Sequence, residues 1–326
     1  MIRPTGPHQR LRTMPEVKLP ALRSMALASL IANIALVVTG AAVRLTKSGL
    51  GCPTWPKCTD ESYVSTAEMG IHGAIEFGNR LLGIALGLIA LACFVSALRT
   101  RPRRRSTVWL SLAILLGIPG QGVVGGITVL TNLNPWVVGI HFLLSMALIA
   151  AAYTLWRRAD EGDGEAVSLV PAPLRHLAVV TAVVSAAVIV LGVVVTGSGP
   201  HAGDQGAKRN GLDPTTVSQV HADLVFLLVG LTAALWFALR AINAPTRAVR
   251  ATGMLLLIEL SQGLIGFIQY FTHLPVALVA AHMLGASLVW ASTVAVLISL
   301  RERPHLPVAV AAPAPPAQDR IPAKHP

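Results

Sequence analysis

Eight stretches of this chain are almost wholly apolar, at 25–45, 70–97, 107–130, 135–156, 176–196, 217–239, 251–271 and 275–300. Each is about 20 residues or longer, the length a helix needs to cross the hydrocarbon core of a bilayer. Lipid offers the backbone no water, so an isolated run of this kind closes its own hydrogen bonds only as a helix. Pro135, Pro214 and Pro275 stand at or just before the opening of a run, where a proline suits a helix start. The pattern predicts an all-α membrane protein with eight transmembrane helices. The first run follows a 24-residue polar arm and ends in "GAAVRLTKSG" rather than in a small-residue cleavage signal. It reads as a span, not a removable leader.

Composition supports this and gives the spans a direction. The chain is 53% hydrophobic and 13% charged, about half the charge of a soluble domain. The arm, the connections 98–106, 157–175 and 240–250, and the tail together hold twenty of the 26 Lys and Arg residues; the other four connections hold four. The positive-inside rule then places both termini and the cluster "RTRPRRR" (99–105) in the cytoplasm of a cell-membrane protein. Beside apolar spans, a net charge of +11 reads as this sidedness signal and not as a nucleic-acid footprint. Loop 46–69 is placed outside the cytoplasm.

The chain also repeats itself. "GQGVVGGITVLTNLNPWVVGIHFLLSMAL" (120–148) echoes "SQGLIGFIQYFTHLPVALVAAHMLGASLV" (261–289), with Gln121/Gln262, Gly122/Gly263, Gly125/Gly266 and His141/His282 all 141 residues apart. Thr39-Gly40 and Thr196-Gly197 form a second echo. The expected organisation is two pseudo-symmetric four-helix bundles of parallel topology. It comprises a cytoplasmic arm (1–24), an N-terminal half (25–156), a flexible cytoplasmic linker (157–175) containing "ADEGDGEA", a C-terminal half (176–300) and a disordered cytoplasmic tail (301–326).

The candidate chemistry lies near the outer face. Cys52 and Cys58, in "GCPTWPKC" (51–58), are close enough to bridge, and disulfides persist outside the cytoplasm. The pair is either a structural staple or a redox-active couple; two cysteines alone lack the further ligands of a zinc site. Cys93 falls within the second span and reads as an apolar filler.

His141, His221 and His282 lie six or seven residues past Pro135, Pro214 and Pro275, ~10 Å below their helix starts. They form one layer. Imidazoles projecting inward from facing helices suit axial coordination of a heme iron; proton relay is the other membrane use of such residues. His221 and His282 form a natural pair. The position facing His141 in the first half is Asn79, 142 residues before His221, while His72 is seven residues nearer the surface. The second half therefore offers a closed two-histidine cage and the first half an open iron position. Glu76 shares a helix face with His72 and Asn79. It can accept a proton or stabilise positive charge, unless it pairs with Arg80, which could otherwise hold a propionate. Asp223 is placed to orient a ligand or to face the interface. His201, in the loop 196–210, is expected to meet solvent. Glu259 has no assigned role.

"TGAAVRLTKSGLGCPTWPKC" (39–58), "IEFGNR" (75–80) and the histidines on helices 4, 6 and 8 resemble the heme A synthase family, in its actinobacterial type with one loop cysteine pair. The resemblance spans about 25–300. It implies a membrane oxidoreductase that oxidises the C8 methyl of heme O to a formyl group, giving heme A for cytochrome oxidase. It implies a cofactor heme b, with its iron, between His221 and His282. The substrate heme site would involve His141, Asn79, Arg80 and His72, with Glu76 as the catalytic residue. It implies a Cys52–Cys58 disulfide, and as partners heme O, heme O synthase, a donor such as quinol and membrane lipid. The family pattern E-x-x-H-R reads Glu76-Phe77-Gly78-Asn79-Arg80 here. Binding of substrate heme carries over, but its ligation by two histidines does not. A second loop cysteine pair, found in many members, is absent. Two other readings fit the histidines: a bis-histidine b-type cytochrome that only passes electrons, and a parallel-repeat transporter.

Overall fold

The computed structural model of the protein describes residues 19–303. The expectations for the rest of the arm and for nearly all of the tail fall on 1–18 and 304–326, outside the described residues. Among the described residues, eight helices are long and apolar enough to cross a membrane. They are α1 (Leu19–Leu45), α2 (Gly70–Arg99), α3 (Arg105–Leu130), α4 (Pro135–Arg158), α5 (Ala172–Ser198), α6 (Pro214–Ala241), α7 (Thr246–Phe271) and α8 (Val276–Ser299). A 3₁₀ turn, Ala67–Met69, leads into α2.

The starts marked by Pro135 and Pro214 hold, whereas the helices that begin at Ala172 and Thr246 open four and five residues before their apolar runs. Pro135 and Pro214 occupy the first turns of α4 and α6, where a missing N–H costs nothing. The Asn134 and Asp213 side chains cap those turns by accepting from the backbone N–H groups of Trp136 (3.0 Å) and Thr216 (2.7 Å). The connections α3–α4 and α7–α8 share one turn. Asn132-Leu133 and His273-Leu274 are left-handed pairs with φ of 51°, 57°, 63° and 59°. Leu133 and Leu274 donate back to the carbonyls of Thr128 and Gln269. The repeat spacing read in the sequence is thus kept in the backbone of these turns.

The helices pack as two rings. In the first, α1 packs on α2, α2 on α3, α3 on α4 and α4 on α1; in the second, α5–α6, α6–α7, α7–α8 and α8–α5 close in the same way. Helices α2 and α4 face diagonally across one ring, and α6 and α8 across the other. The rings meet through α1–α8, α4–α8 and α4–α5. The Trp290 indole on α8 donates to the Met146 carbonyl on α4 at 2.9 Å, and within the second ring Ser185 on α5 pairs with Thr293 on α8 at 3.0 Å. Small and hydroxyl side chains at such contacts let helix backbones approach closely in lipid. Cys93 is fully buried in the apolar core of the first ring, as expected of a filler. Large apolar side chains such as Trp109, Leu116, Val183 and Phe237 face outward, where the solvent is hydrocarbon.

The chain is already helical at Leu19, the first described residue and six before the apolar run, and Leu22 is buried against Ala97 and Ala159. Arg23 also pairs with Asp160 at 2.9 Å. The segment expected to be a flexible linker is tied down at both ends. Arg104, 3% exposed, donates from one terminal nitrogen to the carbonyls of Arg158 (2.8 Å), Ala159 (2.8 Å) and Glu161 (2.7 Å). Ser106 and Arg158 bind the Asp163 carboxylate. Val167–Ser168 pairs antiparallel with Arg301–Glu302, so the first residues assigned to the tail are structured. Carbonyls that turn away from a helix end need donors, and the arginines read as a sidedness signal also supply them. Replacing Arg104 with Ala should destabilise the fold by about 2–4 kcal/mol, the cost of leaving buried carbonyls without a donor. Arg104→Lys should recover only part of that, as thermal melting of the detergent-solubilised protein will report.

Candidate functional site

Each histidine of the predicted layer rests against a glycine on the helix before it. A Cβ built on Gly125 would lie 3.2 Å from the His141 ring, one on Gly192 3.3 Å from His221, and one on Gly266 3.6 Å from His282. Three imidazoles are therefore backed by bare helix backbone. The Nδ1 atoms of His141 and His282 are buried without a hydrogen-bond partner. His221 Nδ1 makes no well-formed bond either, although the Val188 carbonyl lies near it. Sequence reasoning gave Gly125 and Gly266 only as a repeat-matched pair. The offset they share with the histidines was the available signal; Gly192 carried none.

In the first ring the position facing His141 is filled differently. Thr39 on α1 hydrogen-bonds the Asn79 amide on α2 at 2.8 Å, so Asn79 is held by its neighbour helix. Gln121 on α3 donates to the His141 carbonyl (3.0 Å) and to Ser145 (2.7 Å). These bonds fix α4 at the level of His141.

The loop before α2 folds back into the mouth of this ring. Cys52 and Cys58 form a disulfide, and both are fully buried. Trp55 between them lies so close to α3 that a Cβ on Gly126 would fall 2.2 Å from its indole. Gly51 meets the His72 carbonyl equally closely. Glu76, 6% exposed, accepts from the Cys52 N–H at 2.6 Å and from Arg80 at 2.7 Å. Arg80 donates further to the carbonyls of Lys57 (3.2 Å), Cys52 (3.2 Å) and Thr54 (3.1 Å). The ion pair weighed against a propionate contact is therefore made, and the Arg80 guanidinium is spent on the loop. Arg80 also sits well inside α2, not at its end. The Trp55–Gly126 contact was missed in the sequence, because nothing local says which helix a loop tryptophan will meet.

His72 lies elsewhere. It is exposed, bonds Ser48 at 2.9 Å, and lines an outer cavity of about 480 Å³ with Lys47, Asp204 and Gln205. The structure thus does not bring it together with Asn79 and His141. His201 is not a solvent-facing residue: its ring meets the Leu274 carbonyl at 3.0 Å, and its own carbonyl accepts from Arg44. Arg44 also donates to the Thr196 carbonyl at 2.8 Å, tying α1 to the loop after α5. Asp223 is exposed and accepts from Gln219 at 2.7 Å.

His221 on α6 and His282 on α8 thus stand on diagonal helices of one ring, with Nδ1 atoms that lack sound partners. Residues 23–294 match the COX15-CtaA family, described as cytochrome oxidase assembly protein, and the chain belongs to that family. It is similar to the heme A synthase of Shewanella oneidensis, with 30% identity over 169 residues, 46% of this chain and 50% of the relative. Its similarity to the heme A synthase of Symbiobacterium thermophilum is 28% over 146 residues, 44% of this chain and 46% of the relative. It also resembles the protoheme IX farnesyltransferase of Haloarcula marismortui, 31% identical over 119 residues, 36% of this chain and 24% of that protein. The chain spans about half the length of the heme A synthases it matches, or less.

The fit of Trp55 over Gly126 gives a test. Gly126→Leu should unseat the indole and speed reduction of the Cys52–Cys58 bond by a small thiol about tenfold or more, equivalent to ~1.4 kcal/mol of easier local opening. Gly122→Leu, where an added Cβ meets nothing within 4 Å, should leave the rate unchanged. Mass-tag alkylation of the released thiols reads both.

Proposed function

We propose that the chain is a heme A synthase, a membrane oxidoreductase that converts heme O to heme A by oxidising the C8 methyl of the porphyrin to a formyl group. One observation carries this reading. In a family of cytochrome oxidase assembly proteins, His221 and His282 project from diagonal helices with their rings against bare glycine and their Nδ1 atoms without sound partners. Among the described residues no group of three or more His, Cys, Asp or Glu is placed to hold a metal ion. A porphyrin brings four nitrogens of its own, so two imidazoles complete its iron. The residues thus fit a heme b held by His221 and His282. Bound there, that heme would supply one-electron transfer.

The division into an N-terminal substrate half (25–156) and a C-terminal cofactor half (176–300) is supported by the two closed rings of helices. In the first half His141 is the ligand offered to heme O, with the Thr39–Asn79 pair opposite. Glu76 keeps a carboxylate at the mouth of this half, paired with Arg80 and with the Cys52 N–H. A paired carboxylate suits electrostatic stabilisation of positive charge developing on the substrate better than it suits proton abstraction. The disulfide loop, seated by Trp55, covers the same mouth and excludes water from it. Orientation follows from the arginine distribution: termini in the cytoplasm, the Cys52–Cys58 loop outside, in the cell membrane. Heme O synthase as supplier is consistent with the match to a protoheme IX farnesyltransferase; a quinol is the donor class that a membrane location favours.

Co-expression with a heme O supply, followed by chromatography of the extracted hemes, tests the reading. Heme A or a hydroxylated precursor is expected. Heme b alone would favour a cytochrome that only passes electrons, and colourless protein a transporter. Glu76→Ala should keep heme b and lose heme A formation. His282→Ala should remove the heme b absorbance; an unchanged spectrum would refute the cage.

A further inference from the structure

One buried group has no part in this scheme. Glu259 on α7 is 3% exposed and stands near the middle of its helix, ~18–20 Å from either end at 1.5 Å per residue. One carboxyl oxygen accepts from Thr232 on α6 at 3.0 Å. The other is buried without any partner. A hydrogen bond joining α6 to α7 needs only a hydroxyl or an amide. An acid with a spare oxygen is costly in a span, and such groups tend to handle protons or charge.

Its surroundings are nearly free of charge. On α6 the titratable or charged groups are His221, the exposed Asp223 and, at the inner end, Arg240. On α8 His282 stands alone among the described residues. On α7 itself Arg247 and Arg250 lie at the inner end and Tyr270 at the outer end. Helix α7 packs on α6 and α8, so only the two histidines share the bundle interior with Glu259. Gly266, which cradles the His282 ring, is seven residues further out on the same helix, which puts the acid ~10 Å inward of that ring.

We propose that Glu259 is a proton-binding site whose occupancy is linked to the charge held between His221 and His282. This rests on the heme reading above. With the iron oxidised, a net positive charge between the imidazoles favours the Glu259 carboxylate. One electron from a donor of the quinol class would cancel that charge, and the carboxylate would take one proton from solvent water to become the neutral acid. No other bond forms or breaks. A unit charge ~12 Å away, at an effective dielectric constant of ~20, changes proton affinity about tenfold. Tenfold in a one-electron equilibrium is about 59 mV.

The test is a spectroscopic redox titration of the purified full-length protein with its bound heme at several pH values from about 6 to about 9. The midpoint potential of the wild type should fall by about the equivalent of tenfold across that range, while Glu259→Gln, which keeps the Thr232 bond, should be flat. A flat wild type, or a Glu259→Gln protein with the wild-type slope, overturns the proposal and leaves the heme reading standing. Protein without heme overturns both. Should Glu259→Gln fail to fold, the redox-induced infrared difference spectrum of the wild type decides. A carboxylic acid C=O band that appears on reduction and shifts in heavy water supports the site; its absence refutes it.

Discussion

Hydrocarbon gives no hydrogen bond to anything, and the whole molecule is organised by that refusal. Backbone groups close into eight helices because they have no alternative. Side-chain polar atoms inside the spans mostly follow. Ser185 finds Thr293, Trp290 finds the Met146 carbonyl, and Thr39 finds Asn79. Against this background the unsatisfied atoms stand out. The Nδ1 atoms of His141 and His282 and one oxygen of Glu259 are buried and unanswered, as are the Ser29 hydroxyl and an amide oxygen of each of Gln121, Gln262 and Gln269.

The mouth of the first ring obeys the same constraint by another route. A carboxylate, a guanidinium, several loop carbonyls and a backbone N–H come together where lipid gives way to water, and each answers another. Glu76 and Arg80 neutralise one another and at the same time dock the disulfide loop. The cysteine bridge confines the loop's own ends. The Glu76–Arg80 clasp and the seat on Gly126 decide where the confined loop rests.

Much of this was legible in the sequence, for identifiable reasons. Membrane spans are long and compositionally pure, so their number and approximate limits can be read directly, and prolines at 135 and 214 fixed two starts. The histidine layer was legible because depth along a helix is simple arithmetic from such a start. What escaped were contacts between segments far apart in the chain. Trp55 on Gly126, Arg44 on the 196–201 carbonyls and Arg104 on the α4 end each depend on three-dimensional juxtaposition that no local pattern encodes. His72 was assigned to the substrate site through the family resemblance, although its position already placed it seven residues nearer the surface than Asn79, and Ser48 holds it at the rim. The linker looked mobile because it is acidic and glycine-rich, yet its acids and carbonyls are what the neighbouring arginines bind.

Helix α8 belongs to both rings: it packs on α5 and α7 within its own and on α1 and α4 of the other. Its Trp290 grips α4 at Met146, five residues from His141. The beam that carries His282 is thus bolted to the beam that carries His141. A tilt of either helix would therefore have to move the other or break that bond.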